Sequence, residues 1–327
     1  MRVSSCLTGL LLVIAGMGQA WAQGHGLVGT ESPAFQSILR MAESGMPVVK
    51  APAPRSVTGR ISYQEGVIGL IQYDGDAAFG DYALNRARLT ALALQAVQRG
   101  SKIIVMPEGS SYGYVGADEL WCKPGMAEFT TKAWTKRCRD VSAVAESVPG
   151  GSSERYWADF SRRYGVYVVF SVPEQEGGRF YNTMGVTGPD GYVTKYRKRL
   201  LYITDKAYAI PGDGPTVLET PYGRFGLMIC LDADPKDGYF REYRALNVDA
   251  VIISMDWDDD PKGEYAAAVK FQEWAKEHGL DVYASDATPW DGTARYRMDG
   301  QRRERAGLPE DAAGIEGVSV HAFQYPR

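Results

Sequence analysis

The sequence predicts an α/β fold, and three observations lead there. Short apolar runs alternate with stretches of helical periodicity along most of the chain. The runs are apolar nearly throughout, as expected of strands in buried sheets. The turn Gly188-Pro189-Asp190-Gly191 separates two neighbouring strands, so part of the sheet is antiparallel.

The elements follow in order. Residues 23–58 contain Pro33, Pro47, Pro52 and Pro54 with little periodicity and read as an extended lead-in. Ile61 to Tyr73 reads as a strand around the run Val67-Ile68-Gly69-Leu70-Ile71. Asp81 to Arg99 reads as a helix, because Leu84, Ala87, Ala91 and Leu94 recur at helical spacing and Gly100 follows as a C-terminal stop. Ile103-Ile104-Val105-Met106 is a short buried strand ending at Pro107. Residues 109–150 interrupt the pattern with Gly, Ser, Lys and aromatic residues, a length that points to a functional or disordered loop. Beyond it come a helix (Ser153 to Tyr164), a strand (Val166 to Ser171) and the two strands around Gly188-Pro189-Asp190-Gly191. Then follow a strand (Phe225 to Cys230), a helix (Tyr239 to Leu246), a strand (Ala250 to Ser254), a helix (Glu264 to His278) and a strand (Val282 to Ser285). No Pro/Gly/Ser linker, internal repeat or low-complexity tract divides the chain. A single domain over 59–327, with an insertion around 110–150, is the expected organisation.

The first 22 residues stand apart. Arg2 precedes an apolar core from Leu7 to Ala15, and Ala20-Trp21-Ala22 has the small-x-small form of a signal-peptidase site. The apolar stretch is far shorter than the ~20 residues that span a bilayer. Cys6 precedes the apolar core and is not placed as a lipoprotein cysteine. The expectation is cleavage after Ala22, export to the periplasm or beyond, and a mature chain without stable membrane insertion. Three cysteines then remain, Cys122, Cys138 and Cys230. In an oxidising compartment an odd cysteine signals an intermolecular bridge or a reactive thiol. Cys122 and Cys138 flank one polar segment and are the natural disulfide pair, which leaves Cys230 over.

Charge narrows the classes further. The formal net charge is −4 with both signs dispersed, so no basic footprint for nucleic acid or anionic lipid exists. The three histidines, His25, His278 and His321, form no H-E-x-x-H pattern, and there is no C-x-x-C, so no metal site is expected. A G-x-S-x-G elbow and a P-loop are absent as well.

Three strings place a reactive residue just past an apolar strand: Ile103-Ile104-Val105-Met106-Pro107-Glu108, Tyr196-Arg197-Lys198-Arg199-Leu200 and Gly226-Leu227-Met228-Ile229-Cys230-Leu231-Asp232. Singly, Glu108 reads as a surface or capping carboxylate, Lys198 as part of a solvated basic face, and Cys230 as an inert core thiol. Together they supply what thiol chemistry needs without histidine: a base for the proton, a nucleophile, and a cation for developing negative charge.

With these strings in that order the chain resembles the nitrilase superfamily of carbon–nitrogen hydrolases, which is built on a Glu-Lys-Cys triad. Further segments carry the resemblance: Asn85 to Met106, Tyr181-Asn182-Thr183, the Gly188-Pro189-Asp190-Gly191 turn, Pro221-Tyr222-Gly223-Arg224-Phe225-Gly226, and Asn247-Val248-Asp249-Ala250-Val251-Ile252. Coverage is roughly residues 61–290. The resemblance implies a four-layer αββα sandwich and at least a homodimer, paired through the helix near Tyr239 to Leu246. It implies a small amide or nitrile substrate and no cofactor. By the same carry-over, Glu108 is the general base, Cys230 the nucleophile, and Lys198 with the backbone N–H of Leu231 the holder of the oxyanion. Many members carry a second glutamate after the lysine; here Ile203-Thr204-Asp205-Lys206-Ala207 has none, and Asp205 is the substitute to consider. Asp256-Trp257-Asp258-Asp259-Asp260 sits where the family often contributes pocket residues, with an acidic solvated loop as the alternative. Two other functions stay open: an N-acyltransferase of the same superfamily acting on a soluble acceptor, and a non-catalytic binding protein that keeps the fold.

Overall fold

The computed structural model describes residues 65–113 and 141–323, apart from 76–77, 79, 203, 235–237, 258–266, 289, 302 and 310–313. The expected leader (1–22), the lead-in (23–58) and the Cys122–Cys138 pair lie outside the described residues.

Two sheets form the centre. The first has the order β11-β1-β2-β3-β4-β5: β1 is Gly66–Gln72, β2 Ile103–Val105, β3 Tyr167–Glu176, β4 Arg179–Gly188, β5 Gly191–Arg197 and β11 Gly317–Phe323. The second has the order β10-β9-β8-β7-β6: β6 is Val217–Thr220, β7 Gly223–Ile229, β8 Ala250–Met255, β9 Asp281–Asp286 and β10 Ala294–Tyr296. In each sheet three strands run parallel at the centre (β1, β2 and β3; β7, β8 and β9), and the outer strands pair antiparallel.

Strand periodicity explains the layering. Ile103 and Val105 of β2 and Val169 of β3 belong to the core between the sheets, with Phe225, Leu227 and Ile229 of β7 opposite. Ile104, Val168 and Phe170, one residue out of phase, pack with Leu89 and Leu92 of α1 (Tyr82–Gln98) and Trp157 and Phe160 of α2 (Ser152–Tyr164). On the far side of the second sheet, Phe240 and Tyr243 of α3 (Tyr239–Ala245) and Phe271 and Trp274 of α4 (Ala267–His278) pack against it and continue the same apolar cluster. The result is four layers, helix–sheet–sheet–helix. Strands buried on both faces are why the sequence shows unbroken apolar runs rather than alternation.

Local signals set the ends. Asp81 caps α1, its carboxylate accepting from the Leu84 N–H at 3.0 Å. The β4–β5 hairpin turns at Pro189-Asp190, with Gly191 at φ 111°. The β3–β4 hairpin turns on Gly177 and Gly178, both at positive φ, as a tight two-residue loop requires. β3 runs to Glu176, five residues past the expected end at Ser171, and β6, β10 and β11 add strands that the sequence reading did not assign. α4 begins at Ala267 among the described residues, against an expected start at Glu264.

Candidate active site

Three strand ends converge where the two sheets meet. β2 ends at Val105, and Met106-Pro107 carry the chain to Glu108. β5 ends one residue before Lys198, and β7 one residue before Cys230. Bonds between the sheets fix the meeting point: Ser254 Oγ donates to the Met106 carbonyl at 2.7 Å, Ser285 Oγ to the Val105 carbonyl at 3.1 Å, and the Glu108 N–H to the Met255 carbonyl at 3.3 Å. Glu108 sits in a turn continued by Gly109 at φ 66°, whose N–H donates to Ser171 Oγ at 3.1 Å.

Lys198 is fully buried, and a buried ammonium persists only when paired. Its Nζ lies 2.8 Å from Glu108 Oε1 and 2.6 Å from Asp205 Oδ2. The Asn182 amide closes the arrangement, Nδ2 donating to Glu108 Oε1 at 2.7 Å and to Asp205 Oδ1 at 2.9 Å. The Lys198 N–H donates to the Asn182 carbonyl at 2.8 Å, so the loop carrying the lysine is held by the residue that also orients both carboxylates. Asp205 itself begins a turn of 3-10 helix, Asp205–Ala207, and its Oδ2 also accepts from the Tyr202 N–H at 3.0 Å.

Cys230 opens a second 3-10 turn, Cys230–Ala233, at φ 46°. That left-handed backbone is unfavourable for a residue with a Cβ and is held only where the surroundings impose it. Its Sγ lies 3.9 Å from the Asp256 carbonyl, while the Asp256 N–H donates to Glu108 Oε2 at 3.2 Å. One peptide segment thus touches both the thiol and the carboxylate. Leu231 stands at the head of the same turn, where the first N–H groups lack an intrahelical acceptor.

The electrostatics follow from burial. Glu108 is pushed above the ordinary carboxylate range by burial; Lys198 opposes that shift and Asp205 adds to it. Burial raises the Cys230 thiol well above its usual value, with Glu108 adding to the shift and Lys198 acting against it. Asp232, also buried, is pushed up to about 6 by desolvation, against the hydrogen bonds it accepts. Burial thus favours the neutral thiol over the thiolate at this position.

Glu108, Lys198 and Asp205 are joined by direct bonds, and Cys230 is linked to Glu108 through the Asp256 backbone. The Asp256 carboxylate is engaged by the Trp290 indole N–H at 2.6 Å. The Trp257 ring packs edge-on against Phe271 at 5.3 Å and Trp274 at 6.0 Å of α4. Its backbone N–H donates to Asp286 Oδ1 at 3.0 Å. Asp258, Asp259 and Asp260 lie outside the described residues. Sequence reasoning assigned no role to Asn182, Tyr208 or Asp232. Tyr208 belongs near the site because Asp205, Lys198 and Glu108 all act on its hydroxyl, which burial pushes well above its usual value. Among the described residues no cluster of His, Cys, Asp and Glu is arranged to hold a metal ion, and no helix is long and apolar enough to cross a membrane.

The family model for carbon-nitrogen hydrolases matches residues 31–257, which include all three converging residues. The chain belongs to the carbon-nitrogen hydrolase family. It is 30% identical over 149 residues to a nitrilase of Pyrococcus abyssi, covering 45% of this chain and 50% of that protein. It is 34% identical over 162 residues to the omega-amidase NIT2 of Xenopus tropicalis, covering 46% and 49%. The chain thus spans about half the length of the curated relatives it matches. Among solved structures it resembles a double mutant of the amidase from Nesterenkonia sp. AN1 in complex with acrylamide. The TM-score is 0.61 at 19% identity, over 82% of this chain and 94% of that one. It also resembles the glutamine-dependent NAD+ synthetase from Acinetobacter baumannii, with a TM-score of 0.59 at 19% identity, over 80% and 46%. At this identity the structural likeness shows the fold, the αββα sandwich that the hydrolase family shares.

Proposed function

We propose that this carbon-nitrogen hydrolase cleaves a non-peptide amide through a covalent acyl-enzyme on Cys230. The observation that carries the reading is the buried Lys198, held between Glu108 and Asp205, beside a cysteine at a constrained strand end. The amide is favoured over the nitrile because the relatives include omega-amidases and the similar solved structures include an amidase bound to acrylamide.

The chemistry balances with these groups alone. Glu108 takes the Cys230 proton as Sγ attacks the carbonyl carbon, and the new C–S bond places a negative charge on the carbonyl oxygen. Lys198 and the Leu231 N–H hold that charge. When the C–N bond breaks, the proton on Glu108 passes to the leaving nitrogen and ammonia or an amine departs. A water then gives its proton to Glu108 and attacks the thioester. Collapse releases the carboxylic acid, and Glu108 returns the proton to the thiolate. The raised position of Glu108 suits a group that must both take and return a proton. Asp205, paired with Lys198 at 2.6 Å, keeps the ammonium aimed and stands in the stretch where many relatives carry a second glutamate.

The test is intact mass and ammonia release on a panel of small amides and nitriles. Wild-type protein should release ammonia and carry a transient adduct equal to the acyl group. Cys230→Ala should show neither while unfolding at a temperature near that of wild type. Turnover by Cys230→Ala at the wild-type rate would end the assignment.

A further inference from the structure

Lys198 and Cys230 sit on different sheets. Lys198 follows β5, the edge of the first sheet, and Cys230 follows β7 in the second. No backbone ladder joins β5 to β7; Thr216 bridges them farther along, with its hydroxyl donating to the Lys195 carbonyl and its carbonyl accepting from the Leu227 N–H, and beside the two residues themselves the link is a single side chain. Asp232 is completely buried, and its carboxylate accepts four hydrogen bonds, all from the segments around those two residues. Oδ1 accepts from the N–H groups of Arg199 at 3.0 Å and Leu200 at 2.6 Å, the two residues after Lys198. Oδ2 accepts from the N–H of Ile229 at 3.1 Å, the residue before Cys230, and from the Tyr196 hydroxyl at 2.9 Å, two residues before Lys198.

We infer that Asp232 is a positioning residue that fixes the lysine segment against the nucleophile turn and holds Cys230 in its left-handed backbone. The inference rests on the hydrolase reading above for its kinetic arm only. Two features support it beyond the bond count. The Ile229–Asp232 bond spans Cys230 and closes the turn in which that residue takes φ 46°. All four partners are donors, so the site calls for an acceptor at every position, which a carboxylate offers and an amide does not. From the other side, Arg199 is paired with Glu242 and its guanidinium lies 4.0 Å from the centre of the Tyr239 ring, so the segment after Lys198 is held between α3 and Asp232.

Asp232→Asn keeps the shape and turns an NH2 group toward one pair of donors. With full-length protein, kcat, KM, the rate of Cys230 alkylation by iodoacetamide and the thermal midpoint are measured for wild type, Asp232→Asn and Asp232→Ala. The expected result for Asp232→Asn is a fall in kcat of about 10²-fold, the scale of a roughly 1 Å misplacement, with KM little changed. Alkylation of Cys230 should slow in parallel. If Asp232→Asn lowers the thermal midpoint but keeps the wild-type kcat and alkylation rate, Asp232 is only a packing group and the inference is overturned. If Asp232→Ala fails to fold, Asp232→Asn decides. If the wild type hydrolyses nothing on the panel, the hydrolase reading fails, and the alkylation rates alone then support or overturn the positioning role.

Discussion

Replacing Lys198 by Met removes the single ammonium seen between Glu108 and Asp205 and leaves those two carboxylates in place. Lys198 and Asp205 are fully buried and Glu108 is 2% exposed, so water cannot take over the lost pairing. Breaking a buried pair by removing one partner costs about 3–5 kcal/mol, because the remaining charge stays desolvated. The same loss is expected here at pH 8. The pH dependence has a definite sign. Glu108 already lies above its ordinary range, through burial, and removing Lys198 takes away the main influence pulling it down. A carboxyl raised in the folded state takes up its proton before the unfolded chain does. Stability of Lys198→Met should therefore rise as pH falls toward the ordinary carboxylate range, as the unfavourable charge is neutralised. Adding Asp205→Asn should restore part of the stability at pH 8 without restoring turnover, which should stay down by about 10²–10³-fold if the lysine holds the oxyanion. Urea unfolding at pH 8 and pH 5.5, with steady-state rates on the same samples, measures all of this. A Lys198→Met protein as stable as wild type at pH 8 would refute the charge accounting.

Two further outcomes concern the framework. His321 is buried and its imidazole is pushed down to about 4, first by burial, while Glu304 opposes the shift. Its folded-state value is below the unfolded one, so the stability it carries is complete above about 6.5 and is lost as pH falls toward 4; at pH 5 the loss is about 2 kcal/mol. His321→Phe should flatten the urea-unfolding profile in that window, and an unchanged slope would contradict the assignment. In Gly226→Ala the added Cβ would stand 2.6 Å from the ring of Tyr243, whose hydroxyl donates to the Leu227 carbonyl. Overpacking of this kind costs about 1–3 kcal/mol, readable as a lower thermal midpoint, and an unchanged midpoint would mean that α3 can move away freely.

How much of this was legible beforehand depends on where each feature keeps its signal. Cys230 directly follows β7 and Glu108 stands three residues past the end of β2, both of them apolar runs in the sequence, whereas Lys198 follows the largely polar edge strand β5 and was placed with them by the family resemblance. The elements that escaped lack such a pattern. β3 continues through Pro173 and the polar Glu174-Gln175-Glu176, which look like the end of a strand. Proline is tolerated there because β2 stops at Val105, opposite Val169, so β3 has no ladder from β2 beyond that point. The Glu146–Glu174 bridge takes over instead, with the Glu146 N–H donating to the Pro173 carbonyl. β10 has three residues, and β11 mixes Ser319 and His321 with Val318, Val320 and Phe323; its place beside β1 is decided by a partner some 250 positions away in sequence.

The site shows the same division on a finer scale. Asp205 was singled out only as a stand-in for the family's second glutamate, the aim of Asn182 at Glu108 and Asp205 appears only in the tertiary structure, and Asp232 gains its meaning only because two segments from different sheets present four donors to it. Trp257 follows a strand near the site, and Phe271 and Trp274 on α4 offer its ring an aromatic surface that no local pattern announces. Reactive groups were readable because chemistry restricts which residue types can act. Asp232, which joins their segments, was not, because a buried acceptor can be supplied by many residues, and which one does so is settled only when the sheets close on each other.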